Sequence, residues 1–455
     1  MQAFPRRRSP GGDRSECRIT PKDRPVITRP PAFHPASTAA APEADARAAD
    51  RPAGFPAPSA FAKHWRLDPE TVFLNHGSYG ACPAPVLEAQ RRIRDRMEAE
   101  PVRFFMIDLE KLADAARARI ARFIGVRDPQ SLALTPNATI AVATVIRNTH
   151  LQPGDEVLVN DHEYMSCISE FHRHAGGQGY DVKCAEVPFP VASPDEIFEA
   201  VMAQVTARTK LALLSEITSP TAIVFPIPRL VRALKDRGVT VLVDGAHTPG
   251  QRSLDIESLG ADYYAGNLHK WVSAPKGSAF LWVAPEHQKG FEPLALSSRA
   301  HIERADRSRF NALFDYVGTN DYSPVLAAPE AIDFLASLLP GGWDELTARN
   351  HELVIEGRNL ICDALGVEPP APDDMLASMA SIIIPGLGLT SGGIKPGGYE
   401  DPLQARLVEH HRVQVPVWSL PSKGHRILRI SAQLYNSREQ YAYLAEALKR
   451  ELAAE

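Results

Sequence analysis

Cysteine is scarce in this chain: Cys17, Cys82, Cys167, Cys184 and Cys362 are all it has among 455 residues, with no Cys-x-x-Cys pair. That spacing excludes a disulfide scaffold and a cysteine-ligated structural zinc, and it fits a reducing, cytoplasmic setting. No apolar run approaches the ~20 residues a membrane-spanning helix needs. An excess of charge of one sign is missing too. The 50 Lys+Arg stand against 55 Asp+Glu, a formal net charge of −5, which gives no electrostatic footprint for nucleic acid or an anionic membrane surface. What is present is ordinary for a globular protein, with 44 % hydrophobic and 23 % charged residues, and enough chain for roughly two to three domains of about 150 residues.

The first 60 residues stand apart. They hold 11 of the 39 prolines and nine arginines against one lysine. Such a stretch cannot bury enough apolar surface to offset its ordering entropy, so residues 1–61 read as a disordered tail. Arg6, Arg7 and Arg8 are followed by no apolar run, so the stretch does not read as a secretory signal. From residue 62 onward, apolar strands alternate with helices. Strands are expected at Glu156–Asn160, Lys210–Glu216, Val239–Asp244, Ala261–Gly266 and Ser278–Val283. Ser193-Pro194-Asp195-Glu196 spells a capping box opening a helix over Asp195–Val205. A second helix over Pro228–Arg237 is stopped at Gly238. This alternation predicts an α/β fold with a mainly parallel sheet in a large domain, 62–330, with an N-terminal arm at 62–85. A smaller α+β domain is expected at 331–455, with a glycine-rich loop at Gly392–Gly398.

In such sheets, ligands bind beyond the carboxyl ends of the strands. Val241-Leu242-Val243-Asp244-Gly245-Ala246-His247 is an apolar strand ending in a carboxylate, a glycine and a histidine. Gly266-Asn267-Leu268-His269-Lys270-Trp271 sets a lysine among polar and aromatic residues after the next strand. A lone strand-end Asp or a lone Lys carries little information; the ordered pair carries much more. Asn137-Ala138-Thr139 opens a helix with Ile140, Ala143 and Ile146 as its apolar positions, and its amides and dipole suit a phosphate. Arg429, between Leu428 and Ile430, is a charge inside an apolar run and needs a partner; a substrate carboxylate matches its fork, and an internal salt bridge is the alternative. Arg426 nearby reads as solvated. His172 and His174 lack carboxylates at ligand spacing, so no metal site is expected. Gly176–Gly179 reads as a helix stop. Cys362, inside an amphipathic helix, reads as a buried structural thiol.

The Asp-x-x-His strand end followed by Asn-x-His-Lys-Trp resembles the fold type I pyridoxal-phosphate enzymes of the class V aminotransferase group, in particular the isopenicillin N epimerase-like branch. Supporting segments are Leu74–Gly80, Pro101–Phe105, Pro136–Thr139, Asp161–Tyr164, Thr218–Thr221, Phe314–Asp321 and Arg429–Ser431. The resemblance implies that Lys270 forms the covalent link to pyridoxal phosphate and shuttles the Cα proton. It implies that Asp244 pairs with the pyridine nitrogen and that His247 and Ser219 lie near the ring hydroxyl. Asn137, Ala138 and Thr139 would bind the phosphate, with Asn267 and His269 adding side-chain donors. His162 or Tyr164 would stack on the ring, and both, with His247, are candidate proton carriers. Asn75 and His76 join Arg429 as substrate-binding candidates. Gly318 and Thr319 would complete the phosphate site of a neighbouring subunit, which implies a homodimer. The expected substrate is a small amino-acid-containing molecule, and the first expectation for the reaction is epimerisation at Cα. Carbon–sulfur lysis, cysteine desulfuration and transamination are the alternatives. A non-catalytic regulatory module fits poorly, because the proline-rich first 60 residues cannot form a helix-turn-helix.

Overall fold

The computed structural model describes residues 54–386, 399–420 and 422–455; the glycine-rich loop expected at 392–398 lies outside them. Seven strands build the central sheet: β1 (Leu132–Thr135), β2 (Glu156–Asn160), β3 (Asp181–Ala185), β4 (Thr209–Ser215), β5 (Thr240–Gly245), β6 (Tyr263–Asn267) and β7 (Ala279–Val283). Their order is β1-β7-β6-β5-β4-β2-β3. All pairs are parallel except the two that β7 makes with β6 and β1.

The sheet is covered on both faces, which is why its strands read as unbroken apolar runs. Alternate residues divide between two cores. Ala212, Leu214, Val241 and Val243 enter one; Leu211, Leu213 and Leu242 enter the other. Among the covering helices are α1 (Ala138–Asn148) and α2 (Met165–Gln178). α1 presents Ala141, Val142, Val145 and Ile146 to the core, whereas Ile140 is exposed; its buried face is therefore rotated from the expected one. The helix expected from Asp195 runs Pro194–Met202, and Ser193 forms no side-chain cap. Glu196 instead accepts from Ala192 N–H at 2.9 Å, so the box does not close. The helix expected at Pro228–Arg237 runs Ile227–Lys235, and Gly238 follows with φ of 73°.

C-terminal to this lies a smaller antiparallel sheet of β8 (Met379–Ile384), β9 (Val417–Leu420) and β10 (His425–Ser431), in the order β9-β10-β8. It packs with α3 (Gly342–Leu365) and α4 (Arg438–Ala453). The two helices approach closely at Gly357, where a Cβ would stand 2.5 Å from the Tyr441 ring. The N-terminal arm hydrogen-bonds to this C-terminal part: Val72–Phe73 pairs in parallel with Val413–Gln414. Ser59, inside the stretch read as tail, donates its N–H to Tyr435 O at 3.0 Å.

Candidate active site

The carboxyl ends of β2, β4, β5 and β6 open onto a cleft of about 550 Å³. Lys270 and Asp244 both line it, as do His247, Asn267, His269, Ser219 and Arg429. Lys270 Nζ lies 2.8 Å from His247 Nε2. Trp271 Nε1–H donates to His247 Nδ1 at 3.4 Å, and an indole can only donate, so neutral His247 carries its proton on Nε2 and turns it toward the amine. Burial pushes His247 well below the ordinary imidazole range, helped by the positive charges of Lys270 and Arg429. Burial also pulls the Lys270 ammonium down to about 7, with Arg429 adding to the effect and Asp244 opposing it. The lysine is therefore held as a nucleophilic amine near neutrality.

Asp244 keeps one oxygen on the Ala246 N–H at 2.9 Å and turns the other toward Cys167 Sγ at 3.7 Å. Burial raises its pKa, and no cation stands within ion-pair distance of it among the described residues. Behind it, Glu163 is fully buried, bonded to Ser215 N–H at 2.9 Å and to the Ser215 hydroxyl, and its pKa is pushed up to about 8 chiefly by burial.

At the other end of the cleft, Asn137 caps α1 by accepting from Ile140 N–H at 2.9 Å. Asn267 Oδ1 accepts from Ala138 N–H at 2.9 Å. These two bonds correct the expectation of a fully free first turn: two of its amides are engaged, and Thr139 retains the remaining donor at N2. The expected donor role of His269 is corrected as well. Its Nδ1–H goes to Ser278 O at 3.1 Å, and burial lowers its pKa to about 4, so the neutral ring offers the cleft an acceptor.

Arg429 on β10 is 1 % exposed. It donates to the Ser219 carbonyl, to Ser219 Oγ at 3.3 Å and to Ser78 Oγ at 3.2 Å. The Trp418 ring lies 4.9 Å from its guanidinium carbon, and Nε has no hydrogen-bond partner among the described residues. No carboxylate is within ion-pair distance, so the internal salt bridge that could have explained this arginine is not formed among those residues. Arg426, expected to be solvated, is buried instead, gripping Asp401 through Nε at 2.8 Å and Nη2 at 2.6 Å.

Three further expectations are corrected. His162 does not reach the cleft: it is fully buried, bonded through Nδ1 to Thr221 Oγ1 at 2.8 Å and packed edge-on to Phe189. Tyr164, two residues on and 46 % exposed, does line the cleft. Asn75 and His76 also stay outside it. Asn75 Oδ1 accepts from the Ser78 hydroxyl at 2.6 Å, and His76 is buried against the Lys270 backbone, with Nε2 2.9 Å from Lys270 O. Ser78 and Tyr79 face the cleft in their place. Gly318 and Thr319 do not line the cleft of their own chain. Sequence reasoning missed Ser78, Tyr79, Ser215 and Trp418. Ser78 and Tyr79 lie inside the Leu74–Gly80 motif, whereas nothing local marks Trp418.

The site fits pyridoxal phosphate. A buried carboxylate with no cationic partner matches a protonated pyridine nitrogen. A near-neutral lysine matches an aldehyde, and a capped helix N-terminus with Asn267 beside it matches a phosphate. The group, when bound, supplies an electron sink for charge developing at a substrate Cα. A mainly parallel sheet with this lysine–aspartate pair defines a fold type I pyridoxal-phosphate enzyme. The chain belongs to the aminotransferase class-V family, whose model matches residues 73–387. It is 34 % identical over 392 residues to the isopenicillin N epimerase of Streptomyces clavuligerus, covering 84 % of this chain and 95 % of that one. It is 32 % identical over 416 residues to a probable chloroplastic L-cysteine desulfhydrase of Arabidopsis thaliana, covering 86 % and 84 %. The crystal structure of the cysteine desulfurase CsdA from Escherichia coli superposes with a TM-score of 0.68 at 20 % identity, covering 87 % of this chain and 98 % of that one.

Proposed function

We propose that the protein is an epimerase that removes and returns a proton at the Cα of an amino-acid-containing small molecule. One observation carries this reading. Two residues with ionisable side chains, Lys270 and Tyr164, line one cleft from strands on either side of the Asp244 strand: β6 on one flank, β2 beyond β4 on the other. Inversion needs a group on each face of the reacting carbon. In this reading Lys270 serves one face and Tyr164 the other, while Arg429, with no carboxylate partner among the described residues, takes the substrate α-carboxylate bidentately. Asp244 would pair with the pyridine nitrogen and keep it protonated. The likeness to isopenicillin N epimerases supports the same reading.

A second reading, lysis of a carbon–sulfur bond, is supported by the desulfhydrase relatives and by Lys270 alone, since β-elimination needs one base and a leaving group. A desulfurase that carries sulfur on its own cysteine has less support. Among the described residues no cysteine lines the cleft, residues 387–398 contain none, and Cys362 is buried in α3 with its thiol pushed up to about 11 by burial.

The deciding experiment incubates the holoenzyme in D₂O with a panel of L-amino acids, peptides bearing an amino-acid head and cysteine conjugates. Cα inversion, deuterium incorporation, pyruvate and sulfide are scored together. Inversion without pyruvate is the expected result. Pyruvate and sulfide without inversion would replace the epimerase by a lyase. With the substrate so found, Tyr164→Phe should cut inversion about a hundredfold while single-face deuterium exchange continues.

The same reading includes a homodimer. Gly318 and Thr319 remain outside their own cleft, beside an apolar patch of exposed Met106, Ile107 and Val317 built around the Phe105–Tyr316–Arg299 contact. A partner would cover this patch and receive the loop. Light scattering on the active enzyme tests this, and a fully active monomer would refute it. The four cysteines among the described residues are free, which supports a cytoplasmic setting.

A further inference from the structure

His76 and Tyr435 lie outside the cleft, yet they form the only side-chain route from the two chain ends to the Lys270 backbone among the described hydrogen bonds. His76 Nε2 is 2.9 Å from Lys270 O. A carbonyl can only accept, so the proton is on Nε2. The lone pair on Nδ1 then faces two donors, the Tyr435 hydroxyl at 2.8 Å and Ala81 N–H at 3.3 Å. Every group in this array is matched to one tautomer. The imidazole is fully buried and packed on Trp271, ring centroids 5.0 Å apart. Burial holds it neutral, with its pKa lowered to about 3.

Tyr435 is itself fixed by both ends of the chain. Trp65 of the arm meets it edge-on at 5.2 Å and Phe73 stacks on it at 6.1 Å, while the residue itself sits between β10 and α4. The Lys270 turn carries the marks of a constrained segment. Ser273 donates its N–H to Lys270 O at 2.9 Å and holds a left-handed φ of 58°. A Cβ on Gly80 would stand 2.1 Å from His269 O and 2.8 Å from Lys270 O. Strain of this kind persists only where the surroundings impose it.

We infer that His76 and Tyr435 are positioning residues for the reaction: a buried hydrogen-bonded pair through which the N-terminal arm and the C-terminal region set the Lys270 peptide, and with it the direction of the amine. The inference rests on the reading of Lys270 as the cofactor-bearing residue.

The test uses holoenzyme variants that separate the two ring nitrogens. His76→Gln retains an N–H where Nε2 stood and keeps the bond to Lys270 O. His76→Asn retains a polar group near Nδ1 but cannot reach Lys270 O. Tyr435→Phe removes one oxygen and keeps the ring packing. The readouts are the pH midpoint of the visible band of lysine-bound cofactor, and kcat and KM separately. The expected result is that His76→Asn moves the midpoint by about 0.5 pH unit, a threefold change in the equilibrium, and lowers kcat about tenfold at unchanged KM. His76→Gln should stay close to the parent. Tyr435→Phe should move both readouts in the same direction by less, and adding it to His76→Asn should change little, because the two residues act as one unit. The inference is overturned if His76→Asn matches the parent in midpoint and kcat, or if His76→Gln fails as His76→Asn does. Should His76→Asn not fold, a Tyr435→Phe enzyme with the parent's midpoint and kcat overturns it equally. Failure of the underlying reading looks different: the parent enzyme itself would show no visible band that borohydride fixes to Lys270.

Discussion

β10 carries two buried arginines three residues apart, and they meet opposite fates. Arg426, on one face of the strand, is enclosed by carboxylates: Asp401 grips it from two sides and Glu455 adds a contact at 2.6 Å. Arg429, on the other face, is bonded among the described residues only to neutral oxygens of Ser219 and Ser78, with no partner there for Nε. The carboxylates raise Arg426 above its ordinary pKa although burial opposes them; burial alone pulls Arg429 down to about 10. A buried guanidinium costs several kcal/mol in desolvation unless a counter-charge offsets it. One arginine has its counter-charge built in. The other has none among the described residues; in the proposed reading a substrate carboxylate completes it, which would separate a structural cation from a binding one on the same strand.

The largest effect that would sharpen this contrast is on stability. Arg426→Ala leaves Asp401 buried without its partner and should cost about 3–5 kcal/mol, read as a lowered urea midpoint, with KM unchanged in whatever enzyme remains folded. Arg429→Ala should do the reverse. Affinity for the substrate carboxylate should fall by about 2–4 kcal/mol, roughly 30- to 1000-fold, while the urea midpoint holds or rises because an uncompensated buried charge is gone. A change in affinity below about tenfold would make Arg429 structural and erase the distinction.

A gentler probe is a small carboxylate inhibitor. At ten times its dissociation constant it should stabilise the parent by about 1.4 kcal/mol; the gain should survive in Arg426→Ala and vanish in Arg429→Ala in thermal unfolding. The smallest effect concerns Lys270. The neutral amine is the form that takes up the cofactor, so uptake by apoenzyme should accelerate as pH rises through about 7. Arg429 is one cause of that low value. Its removal should therefore shift the rising limb to higher pH, while Arg426→Ala leaves it in place; stopped-flow growth of the visible band across pH 5.5 to 9.5, roughly the range in which Lys270 titrates, would show it.

The sequence marks Arg429 as a carboxylate partner but gives no sign of the carboxylates that bury Arg426, and the reason applies to the whole site. Asp244 and Lys270 were legible because each follows a strand directly and belongs to a short local motif. The five strands of the sheet marked from apolar runs were legible for the same reason, with ends displaced by at most two residues. Partners that come from distant parts of the chain were not. Asp401 is unrelated in sequence to Arg426, and Ser78 to Arg429. His162 and Tyr164 belong to one short segment after β2, but the segment turns between them, sending one side chain under the sheet edge to Thr221 and the other into the cleft. The α1 face was misjudged because Ile140 lies beside the helix entrance, where the cap at Asn137 rather than core contact sets the geometry. His76 was read by its motif alone, and only the tertiary fold shows it bonded to a backbone carbonyl instead of facing a substrate.

The route from Tyr435 through His76 to Lys270 has a consequence for the order of synthesis. A chain leaves the ribosome N-terminus first, at roughly 5–20 residues per second, so Lys270 emerges about ten to thirty seconds before Tyr435 does. Until then His76 lacks the hydroxyl that donates to its Nδ1, and Arg429 of β10 has also yet to appear. The lysine read as the cofactor-bearing residue is thus finished only by residues that emerge well after it. A nascent chain can own the whole central sheet and still lack a trained amine, so the fold ties competence to the emergence of β10 and Tyr435.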